Sequence, residues 1–262
     1  MSVLEAILLG LVQGLTEFFP VSSSGHLVMG QVLLGIHIPG VAFEIGVHVA
    51  TLVSVLVVYR DRILGLAGGA VRLEPQSWRY VGLLVLATIP AALLGVLGRN
   101  FVERLFEAPE TVGVALLVTG TFLWTSRRAV AKDPDGKPGV GSALLMGLAQ
   151  AFALIPGISR SGATVVTGLW LGLNVREAAA FSFLMAIPAI LGAAVLDLPA
   201  LVDGGAGVGW GALTAGSVVA GVSGVLAIRT FVRLLERQVF HRFGPYCWGV
   251  GGLFLLYLFL VR

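Results

Sequence analysis

Charge is scarce in this chain. Asp, Glu, Lys and Arg make up 12% of its 262 residues, while 57% are hydrophobic. A soluble domain carries roughly 25% charged residues, so the balance argues for a polytopic membrane protein. Cysteine is nearly missing as well. The single Cys247 excludes an intramolecular disulfide and cannot form a cysteine metal site alone. No basic tract exists, so the net charge of +3 reflects loop residues and does not call for nucleic acid. The first ten residues, MSVLEAILLG, lack a basic n-region and a small-residue cleavage site, and are read as retained sequence. Glycine, by contrast, is plentiful at 36 residues, as expected where membrane helices pack closely.

Two stretches organise the rest. QGLTEFFPVSSSGH runs from Gln13 to His26, and QAFALIPGISRSGAT from Gln150 to Thr164. A shift of 137 residues registers them without a gap, carrying Gly10 onto Gly147, Gln13 onto Gln150, Ser22 onto Ser159, Ser24 onto Ser161 and Gly25 onto Gly162. Further on, Leu34-Gly35 falls on Leu171-Gly172. Each stretch breaks an apolar segment with Pro and a Ser/Gly cluster. Interrupted hydrophobic segments at matching places in two repeats point to a binding site.

Six other stretches have the length and apolarity of a bilayer span, about 17–25 residues. They cover approximately 41–59, 80–98, 111–126, 178–197, 209–228 and 244–261. The interrupted regions, 3–36 and 141–173, have second arms too short to cross, so each is expected to be a re-entrant helix–loop–helix lining a protein cavity. Pro90 and Pro188 fall within spans and are read as tolerated kinks. Loop charge then orients the chain. Arg60, Arg62, Arg72 and Arg79 fill one loop, Arg127, Arg128, Lys132 and Lys137 another, and Arg229, Arg233, Arg237 and Arg242 a third. The loop at 99–110 sets two Arg against three Glu, and the segment 198–208 has no Lys or Arg. The positive-inside rule puts the three basic loops in the cytoplasm. Every loop agrees if both hairpins are re-entrant from opposite sides, which makes the repeat inverted and leaves both termini outside. The expected fold is therefore all-α: one integral membrane domain over 1–262, with repeats of approximately 1–126 and 140–262, two re-entrant hairpins and about six transmembrane helices.

Ionisable side chains at membrane depth are costly, which makes Glu17, His26 and Arg160 candidate functional groups. Around them stand the hydroxyls of Ser22, Ser23, Ser24, Ser159, Ser161 and Thr164. Arginine, hydroxyls and helix N-termini recognise phosphate, and Glu17 and His26 supply a base, an acid or a metal ligand. The plainer alternative is that these clusters merely break helices, their hydroxyls bonding freed carbonyls. Glu44 and His48, four residues apart on one span, form a second polar pair that either satisfies itself or lines the same cavity. His37, His241, Glu5 and Asp197 sit near segment ends and read as surface or interfacial groups, as do Trp78, Trp124 and Trp210.

The first stretch resembles the (E/Q)xxxE and PVSSxGH motifs of the undecaprenyl-diphosphatase family of the bacitracin-resistance type. PGISRSGAT, from Pro156 to Thr164, resembles its second motif, and Phe43-Glu44 a third position. The resemblance implies an inner-membrane enzyme that removes the terminal phosphate of undecaprenyl diphosphate, recycling the carrier lipid for the cell wall. It also implies a divalent cation, Mg or Ca, with Glu17 as metal ligand or base. Ser23 would be the nucleophile, His26 a proton-transfer group or alternative nucleophile, and Arg160 the diphosphate clamp. Gln13, Ser22, Ser24, Ser159, Ser161, Thr164, Glu44 and His48 would complete the substrate site, facing the periplasm. Gln13 stands where many members have Glu, and His48 where the family pattern has Gln. The expected partners are a polyprenyl diphosphate and membrane lipids, no nucleic acid, with a homodimer left open. A carrier or scramblase for a polyprenyl phosphate or another anion is the rival reading, since broken helices in inverted repeats also build transporters.

Overall fold

The computed structural model describes residues 1–34, 42–132, 134–196 and 208–261. His37, Asp197, Gly35 of the repeat echo and most of the external turn at 203–209 lie outside them. Twelve α-helices form among the described residues: α1 (Val3–Phe18), α2 (Ser23–Leu34), α3 (Ala42–Val58), α4 (Arg60–Val71), α5 (Pro75–Leu97) and α6 (Arg99–Phe106). The second half adds α7 (Pro109–Val130), α8 (Val140–Phe152), α9 (Arg160–Trp170), α10 (Val175–Leu196), α11 (Trp210–Glu236) and α12 (Phe243–Val261).

The helix boundaries follow the sequence chemistry. Ser2 and Glu5 close a capping box on α1, so Glu5 serves a helix end. Pro75 and Pro109 open α5 and α7 at the position where a missing N–H costs nothing. Helices α5 and α10 continue through Pro90 and Pro188. Four segments are long and apolar enough to span a bilayer, namely α5, α10, α11 and Phe240–Val261, which comprises a 3₁₀ turn and α12. Two bent pairs, α3 with α4 at 77° and α6 with α7 at 96°, are apolar and long enough when each is taken together, which brings the candidate spans to as many as six. The chain is thus a multi-pass membrane protein. Its outward faces are apolar: Leu253 and Phe259 of α12 are 68% and 81% exposed. Trp78 and Trp210, near the starts of α5 and α11, are exposed as interfacial anchors are.

Helix α4 and helix α6 are findings the sequence reading did not anticipate. Both lie in segments treated only as charged loops. In α6, Phe101, Val102, Leu105 and Phe106 recur at helical spacing beside Arg99, Glu103 and Arg104, so the segment is amphipathic.

The 137-residue shift carries α1, α2, α3, α5 and α7 onto α8, α9, α10, α11 and α12. Packing follows that correspondence. Helix α1 lies on α11, and its equivalent α8 lies on α5, so each half holds the other's interrupted arm. Small residues make both contacts. A β-carbon on Gly10 would overlap the backbone of Gly216, and one on Gly147 the backbone of Ala87. The equivalent helices α7 and α12 meet directly. A β-carbon on Gly251 would come within 2.8 Å of the Gly113 carbonyl oxygen, and one on Gly244 within 2.8 Å of that of Gly120. The lower-numbered residue of one helix faces the higher-numbered residue of the other, so the two run antiparallel. Equivalent helices that run antiparallel are the signature of an inverted repeat.

Candidate active site

The site begins with a helix that stops early. Gln13 and Glu17 lie one turn apart on α1, and the Gln13 amide Nε2 donates to Glu17 Oε2 over 3.1 Å. Beyond Phe18 the chain turns extended at Phe19 and passes through a tight turn at Pro20, where the Val21 N–H donates to the Phe19 carbonyl at 2.8 Å. Ser22 then takes φ +70°. That left-handed backbone is uncommon for a residue with a β-carbon and marks a locally strained turn. It is held from several sides. Ser22 Oγ accepts the N–H of Gly25, capping α2, and also the N–H of Gly157 from the opposite loop, at 3.2 and 3.1 Å.

The second loop answers in kind. Ser159 Oγ caps α9 by accepting the Gly162 N–H at 3.1 Å. Gly157 sits at φ +96°, where a β-carbon would also strike Val112, so glycine is required. Thr119 of α7 donates to the Gly157 carbonyl at 2.8 Å and accepts from the Ser159 N–H at 3.2 Å. Ser161 Oγ donates back to the Phe19 carbonyl at 3.3 Å. The loops are therefore cross-braced, and they bring the N-termini of α2 and α9 to one place.

Glu17 occupies that place. Arg160, the first residue of α9, donates Nη2 to Glu17 Oε1 at 2.5 Å. Ser23, the first residue of α2, donates Oγ to Glu17 Oε2 at 2.6 Å. His48 Nε2 stands 4.0 Å from the same oxygen, its Nδ1 bonded to the Glu44 carbonyl at 2.8 Å. The carboxylate is nearly buried, its side chain 8% exposed, and Arg160 is 15% exposed. Away from water such a charge needs partners and hydrogen bonds, and here both come from the two halves of the chain.

The cluster forms one wall of a cavity of about 310 Å³. Glu17, Ser22, Ser23, Ser24, Glu44, His48, Ser159 and Arg160 all border it. The remaining wall is largely apolar, with Val102 and Phe106 from α6, Leu154 and Ile158 from the second loop, and alanines of α10. A second, nearly apolar cavity of about 300 Å³ lies between α7, α8 and α9 and shares Ile158 and Ser159 with the first.

Not every expected residue comes to this wall. Thr164 is buried behind it, donating to the Arg160 carbonyl at 2.8 Å and pairing with Ser182 at 2.6 Å. Ser161 faces the opposite loop, and Gln13 acts through Glu17. His26 turns towards α12, its Nε2 2.9 Å from the Tyr246 hydroxyl and the two rings stacked 5.9 Å apart. Its Nδ1 lies 2.8 Å from the Ser22 carbonyl, so His26 fastens the strained turn next to Ser23. Tyr246, Thr119, Val102, Phe106 and the wall residue Gln150 were missed by the sequence reading as site residues. For the α6 residues a signal existed in the amphipathic pattern; for Gln150 it was the repeat itself.

The match to the family model described as "Bacitracin resistance protein BacA" runs from residue 6 to residue 253. The chain belongs to the BacA family. Curated relatives agree over nearly their whole length. An undecaprenyl-diphosphatase of Desulforapulum autotrophicum is 39% identical over 96% of both chains. One of Alcanivorax borkumensis is 43% identical over 89% of this chain and 90% of its own. A third, of Alkaliphilus metalliredigens, is 40% identical over 99% of this chain and 100% of its own. The resemblance read from the two BacA-family motifs is thereby borne out.

Proposed function

We propose that this BacA-family chain hydrolyses undecaprenyl diphosphate to undecaprenyl phosphate and inorganic phosphate, recycling the carrier lipid and conferring bacitracin resistance. The relatives' shared name supports the substrate. The observation that carries the chemistry is Glu17, held between a hydroxyl and a guanidinium at the N-termini of two helices. Helix N-termini and arginine favour a bound anion. The largely apolar wall suits the first isoprene units of a lipid, whose tail leaves sideways into the bilayer.

The geometry supports Ser23 as nucleophile. Its hydroxyl already donates to Glu17, which takes the proton as Ser23 Oγ attacks the terminal phosphorus. The phosphoanhydride bond breaks, undecaprenyl phosphate leaves, and water then releases phosphate from the serine. Arg160 stabilises charge on the phosphoryl oxygens throughout. The donors fit a divalent cation held jointly with the substrate. Among the described residues no three His, Cys, Asp or Glu side chains make a self-contained metal site. Glu17, Glu44 and the buried Gln13 Oε1, which has no hydrogen-bond partner among the described residues, nevertheless offer hard oxygens. Magnesium in particular uses one or two carboxylates and takes other ligands from substrate phosphates and water. Bound there, it would neutralise diphosphate charge.

The chain resides in the bacterial cytoplasmic membrane on this reading, with both termini outside and the cavity open to the periplasm. Loop charge supports that orientation, because Val102 and Phe106 of the cavity wall belong to the segment with few basic residues. The test is phosphate release by detergent-purified protein from undecaprenyl diphosphate, with and without Mg or Ca. Phosphate and undecaprenyl phosphate in equal amounts are expected. A folded protein that moves the lipid between leaflets of a vesicle but releases no phosphate is instead a carrier.

A further inference from the structure

The two loops share their scaffold residues and differ at their reactive ones. Gln13 and Gln150, Ser22 and Ser159, and Gly25 and Gly162 are preserved across the 137-residue shift. At the intervening positions Glu17 corresponds to Leu154, and Ser23 to Arg160. The consequence for the glutamines is direct. Gln13 donates its amide to Glu17 one turn on, whereas Gln150 has Leu154 at the same place, which accepts nothing.

Gln150 is 3% exposed and borders the same cavity as Glu17, Ser23 and Arg160. Neither of its amide atoms has a hydrogen-bond partner among the described residues, and the same is true of Arg160 Nη1. Leaving a buried amide unsatisfied is unfavourable, and such groups call for an explanation. Its neighbours on the wall, Ala153, Leu154 and Ile158, supply no polar side chain either. A ligand with acceptor oxygens supplies what both donors lack.

We infer that Gln150 is a direct diphosphate contact, its amide N–H binding a non-bridging phosphate oxygen alongside the free Nη1 of Arg160. The inference rests on the hydrolase reading for the identity of the anion. It divides the labour between the halves: the first loop contributes Glu17 and Ser23 for the chemistry, and the second contributes Gln150 and Arg160 to hold the anion. The repeat left one glutamine tied to the base and released the other to the substrate.

The experiment measures KM and kcat for undecaprenyl diphosphate in wild type, Gln150→Met and Gln150→Glu, with inhibition by inorganic pyrophosphate and thermal unfolding in parallel. Gln150→Met removes a hydrogen bond to a charged group, so KM and the pyrophosphate inhibition constant should each rise about tenfold or more. The melting temperature should hold or rise, because an unsatisfied amide gives way to an apolar chain of similar size. Gln150→Glu should weaken both more strongly, since it sets a carboxylate against the diphosphate. Wild-type KM and inhibition in folded Gln150→Met would overturn the inference and leave the hydrolase reading intact. Parallel loss of activity and melting temperature, with pyrophosphate inhibition unchanged in the residual activity, would also overturn it. A wild-type protein that releases no phosphate defeats the hydrolase reading, and that arm is read without any variant.

Discussion

Glu17 accepts hydrogen bonds from Arg160, Ser23 and Gln13, so changes at this residue should separate charge from contact. Glu17→Ala leaves the Arg160 guanidinium buried and unpaired, a loss of about 3–5 kcal/mol for a buried pair. Thermal unfolding should show a clear drop in Tm, and an unchanged Tm would mean that another group takes up the charge. Tyr246→Phe acts at a distance. It removes the hydroxyl beside His26 Nε2 and loosens the ring that holds the Ser22 carbonyl. A fall of a few-fold in kcat with KM nearly unchanged is expected from steady-state kinetics, and a rise in KM alone would contradict a positioning role. How much of this was legible in sequence depends on the residue. Glu17 and Arg160 stood out because ionisable groups are rare at membrane depth, whereas Ser23 was set apart from the other hydroxyls only by the family resemblance. The hydroxyls around them were equally visible, but their partners were not. Ser22 and Ser159 cap helices and Ser161 braces the opposite loop, in keeping with the plainer reading of these clusters. Such contacts depend on how two distant loops meet, which no local pattern encodes.

At the scale of helices, the spans were legible because apolar length is itself the signal, and loop charge supplied the expected orientation. The short helices were harder. Helix α6 has only eight residues, and counting its charges hid the apolar stripe that places Val102 and Phe106 on the cavity wall. The glycine seams illustrate the other limit. Composition announced many glycines, but only the packing shows that Gly113 and Gly120 face Gly251 and Gly244. In a bilayer, helices gain little from hydrophobic burial against one another, so close backbone approach carries the contact. Gly120→Val should therefore destabilise the α7–α12 pair by about 1–3 kcal/mol, as overpacking does elsewhere. The check is unfolding in detergent, compared with Gly249→Val on α12, where a β-carbon meets nothing. Equal melting temperatures would remove the seam from the account.

For the whole molecule, function depends on the inverted repeat. Each half alone merely opens the second arm of its interrupted segment with a Ser/Gly cap. Only when α1 packs on α11 and α8 on α5 do the two caps converge on Glu17. The same inversion predicts sidedness. With the buried Cys247 replaced by Ala, a cysteine at Glu107 should react with a membrane-impermeant thiol reagent added outside intact cells, and one at Asp135 should not. The reverse pattern would turn the cavity towards the cytoplasm. The most direct measurement, however, addresses the convergence itself. Turnover and substrate binding should be determined side by side in Glu17→Gln, which keeps the size of the side chain and removes its charge. The account predicts that kcat falls by roughly 100- to 10,000-fold, the range for loss of a positioned base, while undecaprenyl diphosphate still binds through Arg160 and the helix N-termini. Wild-type turnover in that variant would contradict it, because the carboxylate between the two halves would then not be where the chemistry occurs.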